Sequence, residues 1–103
     1  MLEAGTMYCT SAIARELPLD LQQLLWRMIF NAEREKKLDY LQIFHIEQDK
    51  CCNLLVHIKH SQEKPKFELE SFNFTFFPLQ LSSTKIYVID DGDHSTMLFS
   101  HEY

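Results

Sequence analysis

Only one stretch of this 103-residue chain carries the apolar spacing of a long helix, and most of the chain beyond it carries the spacing of strands. Leu17-Pro18-Leu19-Asp20 opens it, with a proline tolerated in a first turn and an acid suited to a helix N-terminus. Leu21, Leu24, Leu25, Met28 and Ile29 then recur at i, i+3, i+4, i+7 and i+8, with Gln22, Gln23 and Arg27 off the stripe. Trp26 and Phe30 stand beside it and widen its apolar surface. The bases near Glu35–Lys37 suit a helix C-terminal end. The spacing predicts a helix over roughly residues 18–35.

Downstream the period changes to two. Tyr40, Gln42, Phe44 and Ile46 alternate with Leu41, Ile43 and His45, both sets largely apolar, which predicts an interior strand over 39–48. Gln48-Asp49-Lys50 is a polar break. A second strand is expected over 51–60, with Leu54, Val56 and Ile58 on one side and Leu55, His57 and Lys59 on the other. Residues 61–66 read as a loop closed by Pro65. The stretch 67–77 holds a conflict, because Phe67 and Leu69 have one parity while Phe72, Phe74 and Phe76 have the other. A regular strand cannot turn both groups inward, so a β-bulge near 70–72 or a break is expected. Pro78 ends that region. Ile86–Ile89 and Thr96–Phe99 flank an Asp91-Gly92 turn signal and predict a hairpin.

At the other end, residues 1–9 read as a loose arm or a short strand through Met7–Cys9. Thr10 or Ser11 is placed to cap a brief helical turn over 12–16. The expected architecture is α+β in a single domain, residues 1–103. One long amphipathic helix packs on a mainly antiparallel sheet of about five strands, finished by a C-terminal β-hairpin.

Composition excludes several classes of function. Two glycines are too few for a backbone cradle around phosphate. The net charge of −5 disfavours direct binding to nucleic acid, which requires neutralising bases. No apolar run approaches the ~18–20 residues of a membrane span, and the N-terminus lacks the pattern of a signal peptide. A soluble cytoplasmic protein is expected. Residues 1–85 hold 11 acids against all 10 bases, whereas Asp90, Asp91, Asp93 and Glu102 face no base, so the excess negative charge gathers at the C-terminal end.

Each candidate site has a plain structural alternative. Cys9, Cys51 and Cys52 are odd in number and form no disulfide framework. Cys51 and Cys52 with His57 and His60 match no established zinc spacing, and a structural role fits free cysteines better. On one strand Cys52 and His57 would lie on opposite faces, so no local thiol–imidazole dyad is expected. The remaining imidazoles, His45, His94 and His101, have no evident nucleophile partner. Glu68 and Glu70 share one strand face and read as edge charge. Asp90-Asp91-Gly92-Asp93-His94 lacks the spacing of a calcium loop and reads as a turn or a partner-facing acidic patch. Trp26 with Phe30, and the Phe72/Phe74/Phe76 stripe, fit core packing better than recognition. No catalytic residue, metal ligand or cofactor is expected.

Several segments together carry a resemblance. They are Leu17-Pro18-Leu19-Asp20-Leu21-Gln22, Leu38-Asp39-Tyr40-Leu41-Gln42-Ile43-Phe44, His57-x-x-His60-Ser61-Gln62-Glu63-x-Pro65, and the run from Ile89-Asp90-Asp91-Gly92-Asp93 to Glu102-Tyr103. With these the chain resembles, over nearly its whole length, a Firmicute family of small cytoplasmic proteins catalogued as a domain of unknown function and first noted in staphylococci. The resemblance brings no activity with it, and the Cys51-Cys52 pair and the Phe-rich stretch depart from its pattern. In size and charge the chain is also similar to phage-encoded anti-CRISPR inhibitors.

The function expected on these grounds is a non-enzymatic protein-binding regulator, in its sharpest form a mobile-element inhibitor of a nucleic-acid-processing complex. Its partner would be a protein with a basic surface, met by Asp90, Asp91, Asp93, Glu68 and Glu70. A housekeeping protein binding a cellular partner is the alternative, followed by a small metal-binding protein or an enzyme.

Overall fold

The computed structural model describes residues 6–52, 54–75 and 83–103. In chain order the elements are β1 (Thr6–Cys9), α1 (Ser11–Glu16), α2 (Leu19–Glu33), β2 (Leu41–Gln48), β3 (Leu55–Glu63), β4 (Lys66–Phe74), β5 (Ser83–Asp90) and β6 (His94–Phe99), with a short 3₁₀ turn over Ser100–Glu102. The six strands form one sheet in the order β1-β6-β5-β2-β3-β4. β1 runs parallel to β6 and every other pairing is antiparallel.

Local chemistry explains both helices. The Thr10 hydroxyl accepts a hydrogen bond from the Ile13 amide at 3.2 Å, capping α1, and donates to Glu102 Oε1 at 2.9 Å, tying the cap to the C-terminal turn. The buried Gln22 side chain donates to the carbonyls of Ile13 and Leu17, at 3.2 and 2.7 Å, and so joins α2 to α1. Both helices lie on one face of the sheet. Ile13, Leu17, Leu21, Leu25 and Ile29 form a continuous core with Phe44, Ile46, Val56, Ile58, Ile86, Val88, Met97 and Phe99. Fully burying one such side chain contributes roughly 1.5–3 kcal/mol. Trp26 and Met28 are partly buried against this core, and Phe30 is exposed.

The α+β expectation of one long helix on about five mainly antiparallel strands is overturned. The sheet has six strands and is mixed, strand outweighs helix, and α2 is the one helix longer than six residues among those described. The sixth strand is β1, four residues with no burial alternation of their own. It exists because β6 offers an edge to pair with, from Thr6 opposite His94 to Cys9 opposite Met97.

Other boundaries also shift. Cys51 and Cys52 precede β3 and lie in a turn, where Asp49 Oδ2 accepts from both of their amides at 2.8 and 2.9 Å. The expected 61–66 loop is mostly strand, since β3 runs to Glu63 and β4 begins at Lys66, paired Glu63 to Lys66. The phenylalanine conflict is settled without a bulge among the nine pairs that join β4 to β3 without a break. β4 is the last strand of the sheet and lies outside the main core cluster, so neither parity had to be buried. Phe76 and Pro78 lie outside the described residues, as do residues 1–5 of the expected N-terminal arm.

Candidate functional site

With the helices on one face, the opposite face of the sheet carries no helix among the described residues. Registered rows can be read across it. His45 stands opposite Lys59 on one side and Lys85 on the other, and Ile43 stands between Ser61 and Tyr87. On β4, Glu68 faces Ser61, Glu70 faces Lys59, Phe72 faces His57 and Phe74 faces Leu55.

This is the side on which β4 shows its chemistry. Phe72 is 65% exposed and Phe74 79% exposed, and beside them Glu68 and Glu70 are exposed as well. Lys59 Nζ lies 3.3 Å from Glu68 and 3.9 Å from Glu70, so one ammonium is shared by two carboxylates. The His57 ring stacks on Phe72 at 4.5 Å between centroids and 9° between planes. Its Nε2, 3.6 Å from Glu70, lacks a hydrogen-bond partner, so the contact is an ion pair only when the ring is protonated. The outcome is a strand with acids in its first half and exposed aromatics in its second, at the margin of the sheet.

The acidic hairpin tip is arranged differently. Asp90 Oδ1 accepts from the Gly92 amide at 3.0 Å, and Asp91 Oδ1 accepts from the His94 amide at 3.3 Å. Asp91 Oδ2 also approaches His94 Nε2 at 3.0 Å. Gly92 has φ of +99°, a conformation that side-chain-bearing residues rarely adopt. Two of the three aspartates thus shape the turn, and Asp93 projects into solvent.

The imidazoles and thiols flagged in the sequence do not converge. His57 lies on the helix-free face, whereas His60 is fully buried on the helix side. Cys51 is exposed in the turn before β3, and Cys9 is exposed on β1. No group of three or more His, Cys, Asp or Glu side chains among the described residues is placed to hold a metal ion. No helix among them is long and apolar enough to cross a membrane.

His60 is instead the head of a buried polar network that sequence reading missed. Its Nε2 donates to Gln42 Oε1 at 2.7 Å. The Gln42 amide donates to Gln62 Oε1 at 2.7 Å and to the Asp39 carbonyl at 3.0 Å. The Gln62 amide donates to the carbonyls of Lys37 and Pro65, at 2.9 and 2.7 Å. This donor pattern leaves His60 Nδ1 as a bare acceptor, and that atom is buried without a partner. Stacked on Phe44 at 4.4 Å and closed off from water, the ring has its pKa lowered by burial from 6.5 to about 4. The signal was present as polar residues at the core parity of two strands, Gln42 in one and His60 and Gln62 in the other.

A six-stranded mixed sheet, capped by helices on one face and ending at β4 in a strand paired on one side only, defines a small open-faced sheet protein. The chain belongs to the family described as staphylococcal protein of unknown function (DUF960), whose family model matches residues 6–102. It is also similar to a crystal structure of a protein of unknown function from Enterococcus faecalis, at 24% identity and a TM-score of 0.85. That likeness covers 100% of this chain and 98% of the other, and it establishes a shared fold. No curated protein matches the chain. The Firmicute family resemblance read from the sequence is therefore correct, whereas the likeness to anti-CRISPR inhibitors has no support in these relatives.

Proposed function

We propose that the protein is a non-enzymatic binding module of the cytoplasm that engages a protein partner with a basic surface through the β4 edge. One observation carries this reading: Phe72 and Phe74 stand 65% and 79% exposed on the same strand face as Glu68 and Glu70, on the outermost strand of the sheet. Large exposed aromatics are costly to leave in water and are enriched among residues that dominate binding. An outer strand also offers unpaired backbone donors and acceptors to an added strand.

The acids narrow the partner. Lys59 supplies one positive charge to two carboxylates, which leaves a negative surplus for a lysine or arginine on the incoming chain. Pairing with a second copy is disfavoured, because the antiparallel register that overlaps all nine residues sets Glu70 against Glu70. The hairpin tip is a weaker candidate, since Asp90 and Asp91 are already engaged by the turn.

The test is a comparison of three proteins as bait in a Firmicute lysate: the parent chain, a Phe72→Ser/Glu70→Lys variant, and an Asp90→Asn/Asp93→Asn variant. A partner retained by the parent and the hairpin variant but lost by the β4 variant supports the reading. A partner lost only by the hairpin variant overturns it.

A further inference from the structure

The middle of the helix-free face holds a pocket of about 340 Å³ that shares Lys59 and Glu68 with the β4 surface. Its charged and polar lining includes Lys59, Lys66, Lys85, Glu63, Glu68 and Ser61, with Ile43 and His45 at its floor. Three of the chain's ten bases and two of its fifteen acids therefore line one pocket, a local balance of +1 in a protein whose net charge is −5.

Their arrangement is not that of a solvated surface with alternating charge. Lys85, His45 and Lys59 lie directly opposite one another on β5, β2 and β3. Each lysine stands opposite the imidazole rather than opposite an acid, so the row itself supplies no negative charge. The acids nearby engage only part of it. Glu68 and Glu70 hold Lys59, and Glu47 lies 3.3 Å from His45 Nε2. Among the described residues neither Lys85 nor Lys66 makes an ion pair, and the Ser61 hydroxyl makes no hydrogen bond. Lys59 and Lys85 are two strand spacings apart, roughly 9–10 Å at the backbone, a gap two flexible side chains can close over one tetrahedral anion.

We propose that this pocket binds the phosphate of a small phosphate monoester, held by Lys59, Lys85 and the Ser61 hydroxyl, with the ester's apolar body against Ile43. A phosphate dianion offers three acceptor oxygens to these three donors, and its charge complements the two ammonium groups. A carboxylate has two oxygens and one charge, and fits less well.

The test uses the full ¹⁵N-labelled chain at constant ionic strength, with sodium chloride as the background. It is titrated separately with inorganic phosphate, phenyl phosphate and acetate. The expected result is saturable binding, read as shifts at the amides of Ile43, His45, Lys59, Ser61 and Lys85, tighter for phenyl phosphate than for inorganic phosphate because the ring gains the contact with Ile43. Lys85→Gln, at an exposed position, is expected to weaken binding roughly tenfold with an unchanged melting temperature, as the loss of one charged hydrogen-bond partner implies. Ser61→Ala provides a second, uncharged variant. Shifts that grow without saturating, that acetate reproduces at equal concentration, or that persist undiminished in both variants overturn the proposal.

Discussion

Acidification should destabilise this protein through His60, and the size of the effect comes from the ring's surroundings. Nε2 already donates to Gln42, and Nδ1 is buried with no acceptor for a second proton. The folded state thus holds the ring neutral with a pKa of about 4, against 6.5 when unfolded. Between those values the unfolded chain takes up a proton that the folded chain refuses. The contribution is therefore complete above pH 6.5 and is lost as pH falls toward 4. At about 1.4 kcal/mol per pH unit, the loss is about 1 kcal/mol by pH 5.5 and about 3 kcal/mol at pH 4 and below. That is a large share of the roughly 5–15 kcal/mol that holds a domain together. The assay is urea denaturation at pH 7, 5.5 and 4.5 for the parent and for His60→Leu. At pH 7 the variant should be less stable by about 1–3 kcal/mol, because Gln42 Oε1 loses its donor. Its stability should then fall less steeply with acid, and the gap between the two proteins should close by 2–3 kcal/mol at pH 4.5. Carboxylates titrate in both proteins and cancel in the comparison. Parallel pH profiles for parent and variant would refute the reasoning.

Leu25→Asp should leave the chain largely unfolded at 25 °C, because it removes a fully buried side chain and inserts an unpaired charge, a combined loss above about 3 kcal/mol readable by far-ultraviolet circular dichroism. Asp91→Ala should cost about 1 kcal/mol in a urea melt, because the His94 amide loses its acceptor and the His94 ring its neighbouring carboxylate, whereas Asp93→Ala should change stability by less than about 0.5 kcal/mol. Equal effects at the two positions would contradict the assignment of roles within the tip. Treatment with a chelator should leave the melting temperature unchanged, and a fall of several degrees with zinc recovered from the untreated protein would reverse the reading of the cysteines and histidines.

Periodicity alone determined where α2 lies, since Leu21, Leu25 and Ile29 at helical spacing have no other way to share one surface. For β2 it predicted a strand and left its inward face open, because both parities are largely apolar, and the sheet then buried the one that carries Gln42, Phe44 and Ile46. Asp91-Gly92 set the position of the terminal turn, and the family was legible from segments spread along the chain. Strand order was not legible. Which strand lies at an edge depends on pairings between residues far apart in sequence, and no local pattern encodes them. That single unknown misdirected the reading of β4: its phenylalanines were assigned to a core, and a bulge was invoked to put them there. Tertiary structure placed β4 outermost, where burial of one face is not required, and so left Phe72 and Phe74 in water beside Glu68 and Glu70. It also recruited the four residues of β1, whose pairing depends on the edge that β6 presents. The buried network and the basic pocket have the same origin. His60 finds Gln42, and Lys59 and Lys85 flank His45, only because β3, β2 and β5 are neighbours in the sheet. Local sequence sets what each segment can bury, whereas the sheet decides which side chains meet.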